Sequence, residues 1–352
     1  MARPAGRGAS LRARAYRGPS RARKGGGALP RKSAEWTCRW RPGNIRNAVY
    51  STGFTLDISG SITALATPFA ADGSLDLAAF GRLLDQQLAG GTQAVVVAGS
   101  TGESHFLEHD EYDRLLGFAV KHVGKRVPVI AGTGEAGTAK TIAATRRAKE
   151  LGADAALVVA PFYVRPTQEG LRRHFLAVAD QGGLPVILYN VPPRTGCDIA
   201  PETVAVLREH PGIVGIKEAR GDAERIRALA ELVRPDFVYL SGDDNTAHEA
   251  MLAGAAGTVS VVANLVPQAF RELCDAARQG DAARTAQAAA RLAPLIDALN
   301  CAPNPIPVKA GLAALGLGAA APRLPLVELE PGPALSRVRE TLAALAPLAS
   351  AA

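Results

Sequence analysis

The 352-residue chain has no run of 18 or more apolar residues, which excludes a membrane-spanning helix. Cysteine is scarce as well. Cys38, Cys197, Cys274 and Cys301 are widely spaced, form no C-x-x-C pair and share no metal-ligand spacing with the six histidines. Neither a disulfide framework nor a metal site fits that pattern, and free thiols in a reducing, cytoplasmic setting are expected. The N-terminus lacks the apolar core of a secretory signal. Acidic residues are nearly missing from the first fifty positions, where 13 Lys/Arg face the single acid Glu35, a charge of +12. Residues 51–352 hold 27 Lys/Arg against 32 acids, a charge of −5, so the chain's total of +7 belongs to its beginning. That segment is Arg-rich like a transit peptide or a nucleic-acid arm, yet it is poor in serine and rich in glycine and proline. High charge with low hydrophobicity is the composition of a disordered extension, expected here over residues 1–55 with no nucleic acid bound.

The rest of the chain is ordinary globular sequence, with 47% hydrophobic and 21% charged residues overall. From residue 60 a unit repeats: a short β-branched apolar run, a loop with Gly or Pro, then apolar residues at three-to-four spacing. The runs are Ser61–Thr67, Ala94–Gly99, Val127–Thr133, Ala155–Pro161, Pro185–Val191, Ile213–Ala219, Phe237–Gly242 and Gly257–Ala263. Helical patterns lie between them near 76–90, 108–122, 138–151, 168–181, 201–209, 222–233 and 245–254. Asp76, Thr138 and Asp222 stand at starts of such patterns. Apolar strands alternating with helices mean a parallel sheet covered on its outer face. Eight units at this spacing predict a closed (β/α)8 TIM barrel over residues 56–280. The open dinucleotide-binding sheet is excluded by the missing G-x-G-x-x-G turn after the first strand. Residues 281–352 carry three further helical patterns, 281–298, Pro305–Leu317 and Leu335–Leu345, and no strand signal. They predict a C-terminal helical appendage.

In such a barrel, chemistry sits where strands end. Lys217 ends the apolar run Ile213-Val214-Gly215-Ile216, where desolvation disfavours an ammonium and leaves an amine able to attack a carbonyl and form a Schiff base. The alternative is a lysine paired with Glu218 or binding phosphate. Tyr163 and Tyr189 close two other strands in a chain with only 5% aromatics. A phenol there can relay protons, or simply pack. The loop Gly99-Ser100-Thr101-Gly102-Glu103-Ser104 offers backbone N–H groups to an anion, or is a plain tight turn. Arg194, in Pro192-Pro193-Arg194-Thr195-Gly196, is a guanidinium held ready for a carboxylate, or a surface ion pair. Asp243-Asp244 is a weak Mg²⁺ pair with no third ligand, and Asp244 with Asn245 reads better as the cap of the next helix.

Taken together, Gly99–Ser104, Tyr163-x-Arg-Pro-Thr-Gln-Glu-Gly170, Tyr189-Asn-Val-Pro-Pro-Arg-Thr-Gly196, Gly215-Ile-Lys-Glu-Ala219 and Ser241-Gly-Asp-Asp244 resemble the dihydrodipicolinate synthase family of class I pyruvate-dependent aldolases. The likeness runs from about residue 59 to 345, with five motifs in the family's order. It implies a homotetramer built as a dimer of dimers, pyruvate and L-aspartate 4-semialdehyde as substrates, and no cofactor or metal. It implies Lys217 as the Schiff-base lysine and Tyr189 as proton donor and acceptor, linked through Ser100 to Tyr163, which reaches into a neighbour's site. Thr101 would grip the pyruvate carboxylate, Gly242 and Val259 would line the pocket, and Arg194 would receive the carboxylate of the second substrate.

Arg194 separates this reading from lyases of 2-keto-3-deoxy or 4-hydroxy-2-oxo acids, which resemble the chain in lysine and tyrosine but usually lack the Arg-Thr-Gly segment. Ser100 departs from the threonine common in the family and loses the methyl that limits its rotamers. A second departure concerns control. The family's lysine-effector site falls near Ser104, His105, Tyr112, Ala136, Lys140 and Phe162, and here Lys140 replaces an acid, so feedback by L-lysine is expected to be weak or absent.

Overall fold

The computed structural model describes residues 57–345, together with the backbone of a two-residue antiparallel strand pair at Ala48–Val49 and Thr55–Leu56. Apart from that pair, the expected basic extension over 1–55 lies outside the described residues.

Eight parallel strands close into a barrel: β1 Gly60–Ala64, β2 Ala94–Val97, β3 Val129–Gly132, β4 Ala155–Val159, β5 Val186–Asn190, β6 Ile213–Glu218, β7 Val238–Ser241 and β8 Gly257–Ser260. β8 completes the ring by pairing with both β7 and β1. Each ladder stops short of the apolar run that announces it. In β2 the cause is local, because Ala98 adopts φ +52°, a left-handed conformation that cannot continue a strand. The polar groups of the following loops begin where pairing ends.

The helices α1 Leu77–Ala89, α2 His109–Val123, α3 Thr138–Glu150, α4 Gln168–Gly182, α5 Pro192–Thr195, α6 Pro201–Leu207, α7 Ala223–Ala230, α8 Ala247–Ala253 and α9 Pro267–Arg278 follow in chain order. Asp76 and Asp222 cap α1 and α7 as expected, accepting from the N–H groups of Ala79 and Arg225 at 2.8 and 3.0 Å. α5 is a single turn where a loop was expected, and its two prolines sit at N1 and N2, where a missing N–H costs nothing. α9 closes the barrel wall, an element whose bounds the sequence reading did not give. Beyond it, α10 Ala282–Leu299, α11 Ile306–Ala314 and α12 Pro333–Leu345 form the expected helical appendage.

Side chains alternate between two buried layers. Ile62, Val96, Ile130, Leu157, Ile187, Tyr189, Leu240 and Val259 fill the lumen. Val95, Val97, Val158, Leu188 and Ile216 pack outward against the helices.

Candidate active site

Strict alternation along β6, counted from outward-facing Ile213, would turn Lys217 away from the lumen. The chain avoids this with an irregularity. Val186 pairs with Ile213 but Ile187 pairs with Gly215, so Val214 and Gly215 together oppose one residue of β5. Such a bulge resets the phase of every side chain that follows. Gly215 permits it, since a Cβ there would lie 2.6 Å from the Val238 carbonyl oxygen. After the bulge Tyr189 pairs with Lys217 and Asn190 with Glu218. Lys217 is 6% exposed, with its Nζ 4.2 Å from the centre of the Tyr189 ring. Gly242 lies against the lysine stem, where a Cβ would come 2.8 Å from Lys217 Cε. Val259 is buried in the same luminal layer as Tyr189.

The pairing of Lys217 with Glu218 does not occur. Glu218 faces the opposite side of the strand and is fully buried, accepting from Arg225 Nε at 2.6 Å, from Asn190 Nδ2 at 2.9 and 3.1 Å and from the Arg220 N–H at 2.8 Å. Burial pushes the Glu218 carboxyl above its ordinary pKa, while Arg225 and Asn190 pull it back. The residue after each luminal group, Asn190 after Tyr189 and Glu218 after Lys217, is therefore tied to its counterpart behind the sheet. Nothing in the sequence pattern marked this network.

Opposite β5 and β6, Thr101 is 3% exposed and its Oγ1 accepts from Asn304 Nδ2 at 2.9 Å. Gly102 turns the loop tightly, because a Cβ would lie 3.0 Å from the Leu65 carbonyl oxygen. Arg194 is exposed and donates to the Asn304 carbonyl at 2.9 Å. Asn304, from the segment before α11, thus touches both expected anion-binding residues, a role that its place between two prolines does not signal locally. Ser100 and Tyr189 line one cavity of about 550 Å³ together with His105, Tyr112, Glu135 and Lys140. Tyr163 stands apart from that group: it is 90% exposed at φ +72°, beside the 56% exposed Val164.

Asp243 and Asp244 are engaged within the protein. Asp243 accepts from Asn245 and Thr246, and Asp244 accepts from the N–H groups of Val261 and Val262 at 2.9 and 2.8 Å. The expected cap by Asp244 and Asn245 is therefore corrected: Thr246 is the residue preceding α8. The Asp244 carboxylate instead fastens the end of β7 to the loop after β8, two neighbouring strands whose ends it must hold together.

A closed (β/α)8 barrel with a buried lysine facing a tyrosine at the C-terminal end of its strands has the architecture of a Schiff-base-forming lyase of the class I aldolase type. Residues 57–344 match the model of the dihydrodipicolinate synthetase family. The chain is 58% identical over 297 residues to the 4-hydroxy-tetrahydrodipicolinate synthase of Xanthomonas axonopodis pv. citri, covering 84% of this chain and 98% of that one. It is 48% identical over 274 residues to the enzyme of that name from Pseudomonas aeruginosa, covering 78% and 94%. Among solved structures it superposes on the chloride-inhibited dihydrodipicolinate synthase of Acinetobacter baumannii, complexed with pyruvate, at TM-score 0.80 and 42% identity, covering 82% of this chain and 99% of that one. It superposes on the enzyme from Aquifex aeolicus at TM-score 0.79 and 40% identity, covering 81% and 97%. The chain belongs to the dihydrodipicolinate synthetase family.

Proposed function

We propose that the protein acts as a 4-hydroxy-tetrahydrodipicolinate synthase, condensing pyruvate with L-aspartate 4-semialdehyde in lysine and diaminopimelate biosynthesis in the cytoplasm. The observation that carries this reading is the pair of buried lysines. Lys309 has a carboxylate 2.6 Å from its Nζ, whereas Lys217, among the described residues, has no ion-pair partner and lies over the Tyr189 ring.

The Lys217 amine attacks the keto carbon of pyruvate. The carbinolamine loses water, and the resulting imine withdraws electrons so that the methyl group gives up a proton and becomes an enamine. The enamine carbon bonds to the aldehyde carbon of the second substrate, whose oxygen takes a proton. The substrate's own amine then displaces Lys217 as the ring closes, and the enzyme regains its free lysine. Tyr189 exchanges protons with the carbinolamine, with Ser100 and a neighbour's Tyr163 completing the relay. Thr101 and the loop amides take the pyruvate carboxylate, Gly242 and Val259 shape the pocket, and Arg194 takes the carboxylate of the semialdehyde. The exposed Tyr163 and Val164 support assembly as a homotetramer of tight dimers, in which each Tyr163 enters the partner's site.

The test is borohydride reduction in the presence of pyruvate followed by peptide mass spectrometry. A pyruvate-derived adduct on Lys217, and product from pyruvate with aspartate semialdehyde, are expected. Absence of the adduct refutes the mechanism.

A further inference from the structure

The loop that bears Ser100 and Thr101 carries a residue in an unusual conformation. Glu103 sits at φ +56° and ψ +37° with its side chain buried, and a left-handed non-glycine residue persists only where its surroundings hold it. What holds Glu103 comes from the other end of the chain. Lys309 Nζ, on α11, lies 2.6 Å from Glu103 Oε1, and both side chains are at most 1% exposed. The backbone N–H of Arg323 donates to Glu103 Oε2 at 2.8 Å. The Arg323 guanidinium then spans the remainder of the turn, donating to the Phe106 carbonyl at 2.7 Å, to the Gly73 carbonyl at 2.7 Å and to both oxygens of Glu111. Lys309 and Arg323 also lie 4.3 and 4.2 Å from the centre of the Phe69 ring. With Asn304 on the Thr101 hydroxyl, the appendage grips the loop at Thr101, Glu103 and Phe106.

We propose that the segment from Asn304 to Arg323 is the positioning element of the substrate-carboxylate loop, with Glu103 as its anchor: the buried Glu103–Lys309 pair fixes where Ser100 and Thr101 stand. This rests on the reading of Thr101 as the pyruvate-carboxylate residue. Asn304, Lys309 and Arg323 make their contacts with Thr101, Arg194, Glu103 and Phe106 rather than with Lys217 or Tyr189, so each acts through the groups it holds. An ion pair buried between segments 206 residues apart in sequence also makes the appendage part of the catalytic unit of each chain rather than a separate packing layer. Removal of either charge would strand the other in an apolar setting, which is why variants must be chosen to keep the fold.

The experiment compares Glu103→Asp, which keeps the charge and tolerates a left-handed backbone but shortens the reach, with the double variant Glu103→Gln/Lys309→Met, which removes both charges, and with Asn304→Ala. Each is measured in the full chain for thermal midpoint, kcat, KM for pyruvate, borohydride-trapped adduct on Lys217, and hydrogen exchange of the 99–104 amides. Glu103→Asp and the double variant are expected to raise KM for pyruvate on the order of 10- to 100-fold, and all three variants to expose the loop amides to faster exchange. At saturating pyruvate the adduct still forms on Lys217. A folded variant of Glu103 with wild-type KM and wild-type exchange overturns the proposal and leaves the pair a stabilising staple. If neither Glu103 variant folds, Asn304→Ala decides, with unchanged exchange of the 99–104 amides overturning the positioning role of the segment. Failure of the wild type itself to trap pyruvate on Lys217 would refute the catalytic reading instead, and the exchange measurement still judges the positioning claim.

Discussion

Replacing Glu218 by alanine should cost the protein about 3 kcal/mol of stability. Arg225 is 3% exposed and its Nε lies 2.6 Å from Glu218 Oε2. Removing one member of a buried ion pair leaves the other charge desolvated, typically a loss of about 3–5 kcal/mol. The lower end applies here because Arg225 keeps Asp198 at 3.2 Å and the Ile199 carbonyl as partners. Asn190 loses its acceptors as well but retains Asp198 at 2.6 Å. At about 2–4 °C per kcal/mol for a domain of this class, the thermal midpoint should fall by roughly 6–12 °C. Urea unfolding followed by circular dichroism measures the same loss, as a lower midpoint with an unchanged slope. The double variant Glu218→Leu/Arg225→Met removes both charges and should regain most of the stability, since the desolvation of each ion disappears with it. A single variant within about 0.5 kcal/mol of wild type, or a double variant worse than the single, would refute the reasoning.

Gly242→Ala places a methyl 2.8 Å from Lys217 Cε, and trapping of pyruvate should slow on the order of 100-fold; a wild-type trapping rate would show that the lysine stem lies elsewhere. Gly215→Ala brings a Cβ 2.6 Å from the Val238 carbonyl oxygen and should destabilise by about 1–3 kcal/mol, read by urea unfolding, with a loss of activity larger than the loss of folded protein. His174 is buried, and burial holds its pKa down to about 4 from the ordinary 6.5. The unfolded chain therefore binds a proton that the fold refuses, so stability is full above pH 6.5 and falls by up to about 3 kcal/mol as pH drops toward 4. His174→Asn should flatten that part of the stability profile. L-lysine should inhibit weakly or not at all, because Lys140 is exposed and its charge would repel the effector's ammonium; strong inhibition near micromolar L-lysine in a rate assay would refute this.

Barrel and appendage were legible because both rest on repetition. Apolar runs and helical spacing are local signals, and eight units leave few topologies open. The placement of the candidate residues Tyr189 and Lys217 was legible in part for the same reason, since a strand end is a predictable place. What could not be read locally was the face on which each residue falls. Simple alternation from Ile213 gives the wrong side for Lys217, and only the bulge at Val214-Gly215 corrects it. Asp244 misled because an acid before a helix reads as a cap, whereas the acceptor it provides is used by Val261 and Val262, from the neighbouring strand's loop. Glu103, Asn304, Lys309 and Arg323 make contacts across 200 residues or more, and no window of sequence brings such groups together.

The charge of the chain bears on how anions reach this site. The sequence from residue 51 onward carries −5, a field that on average repels an anion such as pyruvate, yet charges beyond about 8 Å are largely screened at physiological salt. Capture must then depend on nearby groups. The two cationic groups there differ in kind: among the described residues Lys217 is buried without an ion-pair partner, while Arg194 is exposed and held by the Asn304 carbonyl. An exposed guanidinium with one fixed hydrogen bond retains donors for a carboxylate arriving from solvent, whereas the buried Lys217 side chain can be met only by a group that has left water. On the proposed roles of Arg194 and Lys217, recognition at the rim would be separate from bond formation in the lumen. The segment holding Asn304 connects the two, since the same residue steadies Arg194 through its carbonyl and Thr101 through its amide.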